Sequence, residues 1–351
     1  MNRSDVAIAG AGIIGLSTAL ELSAAGAKVA VFDQNEAMSE ASRAAAGMLA
    51  GNDPENPAEL RPLALLSLRL YPEYLARVAS LSGKQIPIRT TCAIQGTEHL
   101  PHGTHGLSES EIQRLAPGAH TAGFHFFRLE EISFDAWDLA EALPSAARAA
   151  GIDLREHTSV LGVRPGTASV ELETSAGSFS ADRFLNAAGA WSPSLDPALP
   201  VFPRKGHMLT AELPGELQMQ CVLRNPNVYI IPRGGNRYTI GPTVEDVAFD
   251  RTVYTDRIHE LFARAVQLWP PLRDASIAET WIGFRPGSED GLPILDQSAN
   301  RCWVATGHFK NGILLGPATG RVLSQAILGR QPEIDLTPFR CARFAASPLP
   351  S

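Results

Sequence analysis

Residues 5–33, DVAIAGAGIIGLSTALELSAAGAKVAVFD, decide the fold of the first part of the chain. The apolar run 6–9 predicts a strand, and the apolar residues of 16–22 recur at helical spacing. A second apolar run at 28–32 predicts another strand, which ends at the acidic Asp33. The stretch therefore predicts a strand, a helix and a strand that form one βαβ unit.

Three glycines lie at the turn between the first strand and the helix, at the spacing GxGxxG. Gly10 makes the tight turn, Gly12 lets the backbone approach a pyrophosphate, and Gly15 lets the helix pack close to the sheet. The helix N-terminus supplies free amides to the phosphates, and Asp33 can accept hydrogen bonds from a ribose hydroxyl. The motif alone is a weak signal, but inside a βαβ unit it predicts a bound dinucleotide, without separating FAD from NAD.

The composition of the chain is typical of a globular protein that acts on small molecules. Of its 351 residues 44% are hydrophobic, which is enough for a sizeable core. Thirty Lys and Arg against 37 Asp and Glu give a net charge of -7, and the chain has no block of like charges. We therefore expect neither a nucleic-acid partner nor a polybasic membrane face.

The cysteines and the longest apolar stretch bear on where the protein acts. Cys92, Cys221, Cys302 and Cys341 are far apart and show no CxxC pattern, so we expect no disulfide framework and a reducing compartment. The apolar stretch 6–20 is rich in glycine, too short to span a membrane, and lacks the context of a signal peptide. We therefore expect a cytoplasmic protein without a membrane span.

The rest of the chain divides into a part of helices and strands and a later part rich in hairpins. We predict helices at 60–81, 137–150 and 253–269, short strands and loops at 86–130, and strands at 152–163, 168–173 and 178–187. Between 201 and 244 the strands alternate around a Gly-Gly-Asn turn, which is typical of an antiparallel sheet. This order predicts two interleaved domains with the cofactor between them.

Three features leave alternatives open. The small residues of 39–52 fit either a close backbone approach to a ring system or the start of a tightly packed helix. His99, His102 and His105 recur every third residue, but the Pro and Gly between them and the lack of acidic or cysteine partners favour a solvated loop over a metal site. Trp191 follows an apolar strand and is interpreted as a packing residue.

Six stretches, in order along the chain, carry a resemblance to a known family. They are GAGIIG (10–15), AAAGML (44–49), EHTSVLGV (156–163), VYIIPR (228–233), GFRPGSEDGLPIL (283–295) and GHFKNGILLGPATG (307–320). With them the chain resembles the glycine-oxidase group of the D-amino acid oxidase family of flavoenzymes. The resemblance implies an α/β fold, in which a Rossmann-like FAD-binding domain is interleaved with a substrate domain built on a mostly antiparallel sheet.

The resemblance also implies domain boundaries and a cofactor. The FAD-binding domain is expected at 1–80, 135–195 and 298–345, and the substrate-binding domain at 81–134 and 196–297. FAD is expected to be non-covalent, because no cysteine lies at 283–298. A helix that begins near Gly312 would direct free amides at the flavin. The residues expected to contact FAD are Gly10, Gly12, Ile13, Ile14, Gly15, Asp33, Gln34, Ser42, Ala46, Gly47, Met48, Val160, Gly189, His308, Phe309, Lys310, Asn311, Gly312, Ile313 and Leu314.

Three residues are expected to act on the substrate. Arg285, in GFRPG, matches the family's carboxylate-binding arginine, whose planar fork grips two oxygens. Tyr229, in VYIIPR, matches a tyrosine whose hydroxyl assists. Lys310 stands where the group usually carries arginine. We expect it to supply a second, single-point positive contact or to raise the local potential for an anionic substrate, and a solvated lysine is the open alternative. Asn227 and Val244 are expected to line the substrate pocket.

The activity that the resemblance implies is oxidative deamination of a small amino acid or amine, such as glycine, sarcosine or a small D-amino acid. Hydride transfer to flavin would give an imino or keto acid, ammonia and H2O2, with O2 as the electron acceptor, in thiamine biosynthesis. Two alternatives stay open: a dehydrogenase that passes electrons to a quinone or partner protein, and a flavin-binding subunit of a hetero-oligomer with a degenerate site. Assembly into a homo-oligomer is also left open.

Overall fold

The computed structural model describes residues 3–121 and 123–344, and these form two sheets with covering helices. The strands in the described residues are β1 (Arg3–Ala9), β2 (Val29–Phe32), β3 (Ile88–Thr97), β4 (His125–Phe134), β5 (Asp153–Arg155), β6 (Val160–Pro165), β7 (Val170–Thr174), β8 (Gly177–Asn186), β9 (Phe202–Glu212), β10 (Val222–Asn225), β11 (Val228–Gly234), β12 (Arg237–Gly241), β13 (Ser276–Gly287), β14 (Ile294–Ala299) and β15 (Cys302–Thr306). The α-helices are α1 (Ile13–Ala24), α2 (Arg61–Ser82), α3 (Glu109–Leu115), α4 (Ala136–Ala149), α5 (Thr255–Leu268) and α6 (Gly312–Ile327). Residues 1–2 and 345, at the ends of predicted domain segments, lie outside the described residues.

The first sheet is the one that the N-terminal βαβ unit predicts. Its strands run in the order β14-β15-β8-β1-β2-β5, and β1 pairs in parallel with both β2 and β8. All four residues of β2 are buried, as expected for a parallel strand that is covered on both faces. Helices α1, α2, α4 and α6 share one apolar core against this sheet.

The second sheet runs in the order β13-β9-β12-β11-β10-β3-β4, and its neighbours are antiparallel except for the parallel pair β3 and β10. Helix α5 covers one of its faces through Leu261 and Ala265. A mostly parallel sheet joined to a mostly antiparallel one is the predicted fold class, which is confirmed.

Helices α1 and α6 cross closely because small residues lie where they meet. A Cβ atom added to Gly320 would lie 2.8 Å from the backbone carbon of Ser17, and one added to Gly316 would lie 2.8 Å from the Ile13 side chain. Helix α6 begins at Gly312, as predicted. The crossing therefore brings the first turns of both helices to the same edge of the sheet.

Three details differ from the sequence-based expectations. β14 lies mostly within the segment 196–297 predicted for the substrate-binding domain, but it pairs with β15 and is a strand of the first sheet. Helix α3 was not expected within 86–130, although Ser108 and Glu111 form a capping box at its start. β10 was not predicted as a separate strand, because its four residues are too few to show the alternation of apolar and polar side chains.

The expectation of unpaired cysteines is wrong for two of the four. Cys92 and Cys221 form a disulfide, while Cys302 and Cys341 are free. The two bonded cysteines are 129 residues apart in sequence, and the parallel pairing of Ala93 with Val222 brings them together. Their spacing could not reveal this, because it depends on which strands are neighbours.

Two further expectations concern metal and membrane. His99, His102 and His105 are exposed in the loop before α3. Across residues 3–121 and 123–344, no group of three or more His, Cys, Asp or Glu is arranged to hold a metal ion. Nor does any helix in those ranges have the length and apolar character needed to cross a membrane.

Candidate active site

A cavity of about 430 Å³ lies between the two sheets. It extends from the glycine turn after β1, past the start of α6, to the faces of β9, β11 and β13. Residues at the edge of the first sheet and on the faces of the second thus line one cavity.

The glycine turn has the geometry that a phosphate-binding loop requires. Gly10 has φ 103°, and a Cβ atom there would lie 2.7 Å from the carbonyl carbon of Ala187. The Asp33 carboxylate accepts hydrogen bonds from the amides of Ala11 at 2.7 Å and Asn35 at 2.9 Å. Burial raises the pKa of Asp33, and these two amides act against that rise. Asp33 therefore holds the loop as well as facing the cavity.

The small residues after the loop form turns and not a helix, which decides between the two alternatives for 39–52. Ser42 accepts a hydrogen bond from the amide of Ile13 at 3.0 Å, so it is fixed at the start of α1. Gly47 has φ 71°, and a Cβ atom there would collide with the carbonyl of Phe134. Residues of this segment line the cavity, among them Ser42, Ala46, Gly47 and Met48.

The segment before α6 lines the cavity opposite the glycine turn. His308 is buried, its Nε2 lies 3.1 Å from the hydroxyl of Thr319, and burial lowers its pKa to about 3. The Tyr71 hydroxyl donates to the carbonyl of Ile313 and so holds the first turn of the helix. His308 is therefore neutral near pH 7, and the positive end of the helix faces the cavity.

Most of the predicted site residues line this cavity. They are Gly10, Gly12, Ile13, Ile14, Asp33, Gln34, Ser42, Ala46, Gly47, Met48, Val160, Gly189, Tyr229, Val244, Arg285, His308, Phe309, Lys310, Asn311, Gly312 and Ile313. Gly15 and Leu314 are buried in their helices and do not line it. Asn227 is exposed at the turn before β11 and is not among the lining residues, so the expectation for it is corrected.

Arg285 lies on β13 with its guanidinium over β9. Its Nη1 donates to the carbonyl of Thr243 at 3.2 Å, and within the described residues it has no carboxylate within ion-pair distance. A Cβ atom on Gly206 would lie 2.7 Å from the Arg285 Cζ, so glycine is what lets the side chain lie flat on the sheet. Burial lowers the pKa of Arg285, with Tyr229 acting against the shift. An anion in the cavity would meet an uncompensated, half-buried cation.

Tyr229 lies on β11 and leans over Gly241 of β12. Its hydroxyl donates to the Met208 sulfur at 3.1 Å, and a Cβ atom on Gly241 would lie 2.7 Å from its Oη. Burial raises the pKa of Tyr229 to about 12, so the hydroxyl keeps its proton at neutral pH.

Lys310 belongs to a cluster of charges that the sequence did not reveal. Its Nζ lies 3.7 Å from Asp53 and 3.5 Å from Glu55. Arg224 of β10 lies 2.9 Å from the buried Glu131 and 3.9 Å from Asp53. Burial raises the pKa of Glu131, and Arg224 acts against that rise. Two cations face three carboxyl groups, so the cluster, defined by these five residues, has no net positive charge.

The row of side chains across the second sheet explains how these groups come together. Arg224 pairs with Tyr229 across β10 and β11, and Tyr229 pairs with Gly241 across β11 and β12. Arg224 also pairs with Gln95 of β3, whose side-chain oxygen accepts from Arg224 Nη2 at 2.8 Å. The pairing of the strands determines which residues form this row. From the sequence only the alternation of side chains along each strand could be predicted.

Comparisons with known proteins agree with this geometry. The family model described as FAD dependent oxidoreductase matches residues 5–326. The glycine oxidase of Geobacillus kaustophilus (strain HTA426) is 34% identical over 97% of this chain and 97% of that protein. The bifunctional protein ThiO/ThiG of Trichormus variabilis (strain ATCC 29413 / PCC 7937) is 34% identical over 97% of this chain and 55% of that protein. The crystal structure of glycine oxidase from Geobacillus kaustophilus superposes with a TM-score of 0.92 at 32% identity, over 98% of this chain and 99% of that chain.

Proposed function

The chain belongs to the family of FAD dependent oxidoreductases and is an FAD-dependent amino-acid oxidase, and we propose that its substrate is glycine or another small monocarboxylic amino acid. The products would be the imino acid, then the keto acid and ammonia, with O2 reduced to H2O2. The observation that carries the proposal is the guanidinium of Arg285, which faces the cavity without a carboxylate partner in the described residues.

The residues around the glycine turn fit FAD, the cofactor of this family. A Cβ atom on Gly12 would meet only the Ser42 hydroxyl, at 3.1 Å, so the backbone is open to a pyrophosphate. The start of α6 lines the cavity, and its free amides and positive dipole end would stabilise negative charge on a flavin bound there. Flavin supplies the acceptor for a hydride from the carbon beside the amine.

The chain's own contribution is to bind and orient the substrate. We propose that Arg285 takes the carboxylate through both nitrogens of its fork, which fixes the direction of the neighbouring carbon. The neutral hydroxyl of Tyr229 lines the same cavity and can donate to a carboxylate oxygen when its proton turns away from the Met208 sulfur. His308 carries no charge near pH 7, so it would not compete for the carboxylate.

The distribution of charge in the cavity favours one carboxylate per substrate. Of the described cations that line the cavity, Arg285 has no carboxylate partner, whereas Lys310 and Arg224 are neutralised by the acids of the cluster. The guanidinium of Arg285 lies over β9, and Arg224 starts three strands away on β10, which is about 14 Å at the usual strand spacing. A second carboxylate on the substrate would point away from Arg285, toward a cluster without net positive charge.

Turnover with a panel of small amino acids tests the proposal. Purified enzyme with glycine, sarcosine, D-alanine or D-proline should bleach the flavin spectrum without oxygen and release H2O2 in air. Bleaching without reoxidation in air would instead support a dehydrogenase that passes electrons to a quinone or a partner protein. No bleaching with any amine would support a flavin-binding subunit with a degenerate site.

Replacement of Arg285 tests the carboxylate site directly. We expect Arg285→Ala to lower kcat/KM, because the substrate carboxylate loses a charge-assisted pair. The lost transition-state stabilisation, calculated from the ratio of the kcat/KM values, should be about 2–4 kcal/mol. The kcat/KM of Arg285→Lys should lie between those of the wild type and Arg285→Ala, since lysine keeps the charge and loses the planar fork. The exposed Arg330→Ala is the matched control. Unchanged steady-state kinetics in Arg285→Ala would reject the assignment.

Two finer points belong to the same proposal. The relative named ThiO/ThiG supports a place in thiamine biosynthesis, which stays a prediction. Non-covalent attachment of FAD is also a prediction, and release of free FAD from the denatured protein would bear it out.

A further inference from the structure

His207 is a fully buried histidine that takes no part in the cavity. It lies on β9, where Gly206 and Met208 face the cavity. Because side chains alternate along a strand, His207 points to the opposite face of the sheet. A buried imidazole is costly unless both of its nitrogens form hydrogen bonds, so its partners show how this one is accommodated.

The imidazole of His207 is fully occupied by hydrogen bonds to one segment, residues 243–254. Its Nδ1 lies 2.8 Å from Glu245 Oε1 and 3.1 Å from the hydroxyl of Thr243. Its Nε2 accepts from the amide of Tyr254 at 3.0 Å. Since Nε2 is an acceptor, the proton of the neutral ring is assigned to Nδ1, which therefore donates.

Thr243 is held by the imidazole contact of His207 and by further hydrogen bonds to the backbone of β9 and to Glu245. The Thr243 hydroxyl accepts from the amide of His207 at 2.8 Å and donates to Glu245 at 2.7 Å. The amides and carbonyls of Lys205 and Glu245 pair at 3.0 and 2.9 Å, so the segment runs as a short extension beside β9. Burial alone would raise the pKa of Glu245, but the hydrogen bonds from the Thr243 and His207 side chains hold that pKa below its usual range. Thr243 is held from both sides.

The carbonyl of Thr243 is the acceptor for Arg285 Nη1. It is the one hydrogen bond that the structure gives to the Arg285 side chain within the described residues. The direction of the guanidinium therefore depends on where the Thr243 carbonyl is held. A misplacement of about 1 Å at a group that orients the substrate can cost up to about 100-fold in rate.

We infer that His207 is a positioning residue for Arg285, and that it acts through Thr243 from the far side of the sheet. The inference rests on the proposed role of Arg285 as the carboxylate site. It extends the machinery of substrate binding to a residue that touches neither substrate nor cofactor.

The experiment measures carboxylate binding without turnover. Glycolate, a carboxylate without an amine, is titrated into the holoenzyme and its Kd is read from the perturbed flavin spectrum. His207→Phe keeps the ring and removes its hydrogen bonds, and we expect it to raise Kd and KM by about 10-fold while kcat changes by less than about 3-fold. His207→Asn keeps a donor toward Thr243 and Glu245 and should restore most of the affinity. The exposed His259→Gln is the matched control.

A double-mutant cycle separates positioning from a general structural role. In the Arg285→Ala background, His207→Phe should have no further effect on the glycolate Kd, because the group that it positions is gone. Equal losses in both backgrounds would overturn the inference, as would an unchanged Kd in His207→Phe. If His207→Phe fails to fold, Thr243→Val gives the same reading, since it removes the hydroxyl at constant shape. If Arg285→Ala itself leaves the glycolate Kd unchanged, the proposed function fails and not the His207 link alone.

Discussion

At the scale of single residues, two glycines make room for the side chains at the carboxylate end of the cavity. Gly206 lies under the guanidinium of Arg285, and Gly241 lies under the hydroxyl of Tyr229. Both glycines are in strands, where a glycine weakens the sheet and usually marks a close approach. Here the close approach is that of two side chains that lie flat on the sheet. A side chain larger than hydrogen at either glycine would occupy the space that Arg285 or Tyr229 now fills.

Gly206→Ala tests this point. The new methyl group would displace the flexible end of Arg285 while leaving the backbone in place, so we expect KM to rise by about 10-fold or more with FAD still bound. The matched control is Gly215→Ala, because a Cβ atom there would meet nothing within 4 Å. Steady-state kinetics and the flavin content of both variants provide the measurement. Equal KM values in the two variants would show that Arg285 does not need the space left by the missing side chain of Gly206.

At the scale of elements, the parallel pair β3 and β10 joins distant parts of the chain. The disulfide between Cys92 and Cys221 links these strands three residues before Gln95 and Arg224, which line the cavity. Both bonded cysteines are buried in the core between the second sheet and α5. The bond therefore fixes the register of β3 against β10, the strand that carries Arg224 of the charge cluster.

A thiol count tests the disulfide. Unfolded, unreduced protein should expose the two free thiols of Cys302 and Cys341, and reduction should raise the count to four. Because the bond closes a loop of 129 residues, its reduction should lower the free energy of unfolding by up to about 4–5 kcal/mol. Cys302→Ser, which removes one free thiol, is the control for the titration. Four reactive thiols without reductant would contradict the pairing.

At the scale of the whole molecule, the two sheets meet at a cavity whose two ends differ in charge. Arg285 comes from the edge of the second sheet, while Lys310 comes from the segment that leads into α6 of the first. The arrangement exists only when both sheets are packed together. Arg251 of the second sheet's long connection also pairs with Glu40 near the glycine turn, at 2.6 Å.

Substitutions that remove a negative or a positive charge from the cluster test the difference in charge between the two ends of the cavity. With sarcosine and iminodiacetate as mono- and dicarboxylic substrates, Asp53→Asn should shift the ratio of kcat/KM toward the dicarboxylate by about 3-fold, the size of a partly screened charge interaction. Lys310→Met should shift it the other way, and Lys310→Arg should leave it unchanged. The exposed Glu59→Gln is the control. Shifts of the same sign in Asp53→Asn and Lys310→Met would point to loss of structure and not to charge.

Much of the fold was readable from local patterns. The GxGxxG turn and the two apolar runs around it predict β1, α1 and β2, and Gly312 is where α6 begins. The motif residues of the cofactor end also lie where their order predicts, because a strand end and a helix start place them on one sheet edge. Boundaries were less secure, as the placement of β14 shows.

The sequence by itself determined the elements, the dinucleotide loop and the identity of the residues that can carry charge, because these depend on spacing within a few residues. Only the tertiary structure decided which of those residues meet. Lys310 reads as a free cation in the sequence, yet it lies beside Asp53 and Glu55. Among the described residues Arg285 has no carboxylate partner, and its guanidinium donates instead to the Thr243 carbonyl. Cys92 bonds to Cys221, 129 residues away, because strand pairing brings distant parts of the chain together.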